Sequence, residues 1–105
     1  MIFITAKFPV KPEYADEWAD ITRDFTAATD AEEGCLIFEW SRSLEEPETY
    51  VLVEAFRDDE SGAIHVQSDH FKKATTELPP YLSATPDIVN ARVDGWSKLG
   101  EMAVN

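Results

Sequence analysis

Two short runs of this chain, Cys35 to Arg42 and Tyr50 to Arg57, are apolar at both odd and even positions. In the first, Leu36, Phe38 and Trp40 are set against Cys35 and Ile37; in the second, Tyr50, Leu52 and Phe56 are set against Val51, Val53 and Ala55. Successive side chains of a strand point to opposite faces, so each run offers apolar surface on both sides of its sheet. An antiparallel sheet covered by helices on one face normally turns polar residues to water on the other. A chain of 105 residues has room for one core and no spare layer. A second copy packed sheet against sheet is the simplest cover for the remaining face, and the pattern predicts a homodimer.

The rest of the chain supplies the partners of these strands. Ile2, Phe3, Ile4, Phe8 and Val10 mark a first strand over 2–10 that ends near Pro9. Tyr14, Trp18, Ile21, Phe25 and Ala28 follow at spacings of four, three, four and three, the single face of an amphipathic helix that runs from Lys11-Pro12-Glu13 to about Asp30. The polar stretch 43–49 suits a hairpin between the two central strands. Residues 58–78 read as two helical pieces broken near Ser68-Asp69, either of which can cap the second piece, and Pro79-Pro80 ends it. Ile88 to Trp96 reads as a last strand. Strand, helix, strand, strand, helix, strand is the ferredoxin-like βαββαβ order, which predicts one α+β domain over 1–105 with an antiparallel sheet.

Charge narrows the partners. Twenty-one acidic residues against nine basic ones give −12, a field that repels phosphate backbones and anionic lipids, so neither nucleic acid nor a membrane is expected to bind. No stretch approaches the roughly 20 apolar residues of a membrane span, and MIFITAKFPVK reads as a strand rather than a signal peptide. Cys35 is the sole cysteine, which excludes an intrachain disulfide and points to the cytoplasm.

Few residues are equipped for chemistry. The two histidines, His65 and His70, are five apart, about 140° around a helix, so they do not share a face as an i, i+4 metal pair does. No metal site is expected from them. His65 reads either as a satisfied core histidine or as an acid/base group. Glu54 interrupts an apolar strand and must be paired, hydrogen-bonded or wet; it either meets Arg42 or Arg57 at the sheet rim or lines a cavity. Trp40, Phe38, Tyr50, Phe56 and Phe71 either build the core or wall an aromatic-binding cavity. The glycines at 34, 62, 95 and 100 are isolated, so no phosphate loop or flavin fingerprint exists, and GxSxG is absent. No bound flavin, haem or metal is expected.

From Tyr50 to Leu82 the chain resembles the antibiotic biosynthesis monooxygenase family, a group of dimeric α+β barrels. The resemblance is carried by Glu54-Ala55-Phe56 at a strand end, Asp58, Ala63, and His65, Ser68, His70 and Phe71 in the pattern HxxSxHF; Trp96 in DGWSKLG is similar to quinol monooxygenase-like members. It implies cofactor-independent oxidation of a quinol- or anthrone-like aromatic by molecular oxygen, with His65 as base and Glu54 tuning it. Trp40, Tyr50, Phe56, His70, Phe71 and Tyr81 then stand as candidate substrate contacts. Such chemistry needs a dry pocket, a base with a pKa near working pH and donors for the anion, because a deprotonated hydroquinone can itself reduce oxygen. Haem-degrading relatives carry an asparagine on the first strand and a tryptophan near the third; here stand IFITAKF and Phe56. Two other readings stay open: an isomerase of a small phosphorylated signal, which an inward Arg42 or Arg57 would favour, and a barrel that binds a ligand without turnover.

Overall fold

β-prone residues at the start of the chain make β1 (Ile2–Pro9), which becomes the second-from-edge strand of a sheet ordered β2-β3-β1-β4. The other strands are β2 (Cys35–Arg42), β3 (Thr49–Phe56) and β4 (Asp87–Arg92), and every neighbouring pair is antiparallel. The computed structural model describes residues 1–104. It has the ferredoxin-like α+β architecture, with the helices on one face of the sheet.

The amphipathic segment between β1 and β2 is less regular than its periodicity predicts. A 3₁₀ turn (Pro12–Glu17) leads into α1 (Trp18–Ile21) and α2 (Arg23–Asp30), with a break at Thr22. The buried Thr22 hydroxyl donates to the Trp18 carbonyl at 2.9 Å, a side-chain competitor for the helical ladder that bends the helix where it occurs. The apolar face still packs as its spacing requires. Trp18 is fully buried, with Val10, Ala74 and Leu78, against Phe8, Trp40 and Tyr50 of the sheet.

Two further departures have local causes. A β-bulge between Cys35 and Ile37 sets Cys35 opposite Phe56 on the helix-covered face, beside Phe38, and leaves Leu36 44% exposed. The predicted alternation of these two residues is therefore reversed, because the extra residue flips the strand's phase. β4 ends at Arg92 instead of Trp96: the Val93 N–H reaches the Met1 carbonyl, where β1 offers its last pairing, and Gly95 at φ +150° turns the chain away.

The face away from the helices carries Phe3 and Thr5 of β1, Ile37 of β2, Val51, Val53 and Ala55 of β3, and Val89 of β4. Val89 is 65% exposed. Beyond β3, α3 (Asp59–Gln67) and α4 (Asp69–Glu77) fold back over the covered face. No helix among the described residues is long and apolar enough to cross a membrane.

Candidate active site

Glu54 sits on β3 opposite Ile4 and Phe38, with its side chain on the helix-covered face and 6% exposed. It does not meet an arginine. Arg42 pairs with Asp16 at 2.8 Å, and Arg57 with Asp58 at 3.4 Å and Glu33 at 3.7 Å, so the rim pairing considered for Glu54 is replaced by a cavity position.

What Glu54 does meet is His65. Asp58 caps α3 by accepting from the Ser61 N–H at 2.8 Å. The helix start lies so close to the β2 approach that a Cβ on Gly34 would overlap the Ser61 side chain. That close approach sets the turn between α2 and β2 against α3. His65, 3% exposed, brings Nε2 to 3.5 Å from Glu54 Oε1, while its Nδ1 lies 2.8 Å from Oε2 of Glu32 in that turn. The same Glu32 oxygen lies 2.6 Å from His70 Nε2.

The two imidazoles thus meet at one carboxylate, against the expectation from a 140° separation on a continuous helix. Ser68 is the reason. It is extended at φ −70°, ψ 155°, closes α3 by donating from its hydroxyl to the His65 carbonyl at 2.6 Å, and opens α4 by accepting from the Phe71 N–H at 3.1 Å. The break re-aims His70. One donor atom from each of Glu32, His65 and His70 lies within 4.8 Å of the others. Glu32 had no signal in the sequence: it is one acidic residue among twenty-one, and its partners are 33 and 38 positions away.

The electrostatics follow from burial. Removal from water, and after it the Glu32 charge, pushes Glu54 up to about 7, so at neutral pH its carboxyl holds a proton a large share of the time. In the tautomer that donates Nδ1–H to Glu32, the Nε2 lone pair of His65 faces Glu54 Oε1 at 3.5 Å. Phe56 stacks on the His65 ring at 4.8 Å and Phe71 meets it edge-on at 5.1 Å, which holds the ring's plane.

Glu54 and His65 open onto a cavity of about 280 Å³ whose other walls are apolar except for Thr75: Phe8, Phe25, Leu52, Phe71, Leu78 and Leu82 form most of it. Among the described residues no cationic side chain lines it. Of the predicted contacts, Phe71 is a wall and Phe56 a support behind the imidazole. His70 and Tyr81 face a separate outer groove between α2 and α4. Trp40 and Tyr50 lie in the aromatic cluster around Trp18, with Trp40 Nε1–H donating to Thr26 Oγ1 at 3.0 Å and the Tyr50 hydroxyl to the Ala15 carbonyl at 2.7 Å. Trp40, Tyr50 and Tyr81 therefore stand outside this cavity. Phe8, Phe25 and Leu82 take the wall positions; the periodicity marks Phe8 and Phe25 only as strand and helix-face residues, and Leu82 carries no site signal in the sequence.

Comparison with known proteins bears on the family and the fold. The family model described as antibiotic biosynthesis monooxygenase matches residues 1–77. The Bacillus subtilis (strain 168) protein YcnE, named as a candidate monooxygenase, is 27% identical over 93 residues, covering 89% of this chain and 98% of its own. A conserved protein from Methanosarcina mazei Go1 superposes with a TM-score of 0.81 at 33% identity, covering 87% of this chain and 90% of that one. A candidate antibiotic biosynthesis monooxygenase from Caulobacter crescentus CB15 superposes with a TM-score of 0.81 at 27% identity, over 91% and 90%. A family match over residues 1–77, with a fold shared by solved members, places this protein in the antibiotic biosynthesis monooxygenase family.

Proposed function

We propose that this chain is a cofactor-independent monooxygenase that oxidises a quinol- or anthrone-like aromatic with molecular oxygen. The observation that carries the reading is the apolar cavity whose only ionisable lining groups, among the described residues, are Glu54 and His65. Its size, about 280 Å³, is at the small end of small-molecule sites, about 300–1,000 Å³. That favours the quinol end of the class.

In this reading the phenolic oxygen enters between His65 Nε2 and Glu54. Nε2 takes the phenolic proton, Glu32 stabilises the imidazolium from the Nδ1 side, and the protonated Glu54 carboxyl donates a hydrogen bond to the phenolate. The electron-rich anion reduces oxygen and forms a C–O bond. His65 returns its proton to the resulting peroxide, C–O–O⁻. Loss of the ring C–H proton with cleavage of the O–O bond then leaves one oxygen atom on the ring carbon as a carbonyl and releases the other as water, so that the substrate supplies both protons and all the electrons. Phenylalanine and leucine walls keep the anion dry, which strengthens both interactions. A phosphorylated substrate would want an inward cation, and Arg42 and Arg57 are held elsewhere. We also propose that the protein acts as a cytoplasmic homodimer through the open sheet face.

Oxygen uptake by chelator-treated protein with a panel of hydroquinones, naphthols and anthrones tests the reading. The expected result is one oxygen molecule consumed per substrate oxidised. Tight binding without uptake would make it a ligand-binding barrel, and turnover of a phosphorylated carbonyl compound instead would make it an isomerase.

A further inference from the structure

Glu32, His65 and His70 converge more closely than an acid/base dyad requires. Two imidazole nitrogens face one carboxylate oxygen at 2.8 and 2.6 Å, and the other oxygen of Glu32, Oε1, is buried with no hydrogen-bond partner. A buried carboxylate with an orphaned oxygen is costly, and a bound cation is one way to relieve it.

We propose that Glu32, His65 and His70 form a binding site for a divalent first-row transition metal such as Zn²⁺, and that metal occupancy switches off His65 as a base. Two imidazoles and a carboxylate are a donor set that suits Zn²⁺ and its neighbours and disfavours Mg²⁺ and Ca²⁺. Ligands at about 2.0–2.2 Å from a tetrahedral ion stand farther apart than the present hydrogen-bonded atoms. Tetrahedral ligands at that distance stand about 3.3–3.6 Å apart. The Glu32 oxygen therefore moves roughly 0.5–1 Å away from each nitrogen as the cation replaces the shared protons, with all three donor atoms starting within 4.8 Å of one another. His70 has the room: its side chain is 25% exposed and borders the outer groove, which also gives the ion its entry path and a position for a water ligand.

The coupling to the cavity is a tautomer switch. Without metal, the Nδ1 proton of His65 points to Glu32 and the Nε2 lone pair faces the cavity. A metal on Nδ1 takes that lone pair, so the neutral ring must carry its proton on Nε2, directed at Glu54 3.5 Å away. The cavity then holds a donor where it had an acceptor. Metal binding stands apart from the proposed oxidation; only the inhibition rests on that reading.

Equilibrium dialysis of chelator-treated full-length protein against Zn²⁺ alone, in buffer with excess Mg²⁺ to occupy surface carboxylates, tests the site. The expected result is one Zn²⁺ per chain, with affinity at least about tenfold weaker in His70→Ala and in the shape-conserving Glu32→Gln. Either variant suffices if the other fails to keep the circular dichroism of the parent. No Zn²⁺ retained under these conditions, or undiminished binding in the folded variants, would overturn the site. Zn²⁺ should also suppress oxygen uptake in the parent and do so less in His70→Ala. If Zn²⁺ binds as expected and no aromatic is oxidised, the metal site stands and the oxidation reading falls; uptake insensitive to bound Zn²⁺ would overturn the switch alone.

Discussion

At the scale of single residues, position in the register decides chemistry. The bulge that turns Cys35 inward places its thiol beside Ala6, Phe38 and Leu52, where the S–H donates to the Ile37 carbonyl at 3.6 Å. Burial first, and then the negative charges of Asp30, Glu32 and Glu54, push this thiol from 9.0 up to about 11. Raising the pKa removes thiolate at any pH below it, so alkylation by iodoacetamide at pH 8 should run about 100-fold slower than for an unperturbed thiol. Denaturant should restore the rate. Equal rates in folded and unfolded protein would contradict the inward placement. Glu54 was conspicuous in the sequence because a carboxylate inside an apolar strand needs an explanation. Glu32 was not: its role exists only because Ser61 sits against Gly34 and brings two distant segments together.

At the scale of elements, the break at Ser68 is the feature the site depends on. Its hydroxyl bonds both helices, accepting from Phe71 and donating to the His65 carbonyl. Ser68→Ala should lower stability by about 1 kcal/mol, the usual cost of a lost N-cap, read from urea unfolding, and should weaken whatever depends on His65 and His70 meeting at Glu32. An unchanged midpoint would mean that the cap contributes nothing. This break was legible because Ser and Asp are cap formers set between two helical stretches. The bulge in β2 and the early end of β4 were not, because both are fixed by what the neighbouring strand offers, which no local pattern encodes.

At the scale of the whole molecule, the apolar residues on both faces of β3 were the most informative signal, and one face is answered by the helices. The open face, with Val53 between Thr5 and Glu39, leads to the proposed homodimer. Hydrodynamic mass should be near twice the chain mass at micromolar concentration, and Val53→Asp should halve it without loss of secondary structure; a monodisperse parent monomer would contradict this. Core and cavity wall could not be separated in the sequence, since Phe8, Phe25 and Phe71 carry the same apolar signal in either role. The central claim is that His65, held by Glu32 and facing the cavity, is the base. The measurement is kcat/KM for oxygen uptake on the best substrate, in chelator-treated parent, His65→Gln and His70→Gln. A positioned base contributes about 10²- to 10⁴-fold, so His65→Gln should lose that much while keeping its Tm, and His70→Gln should lose less; full uptake by His65→Gln would contradict the account.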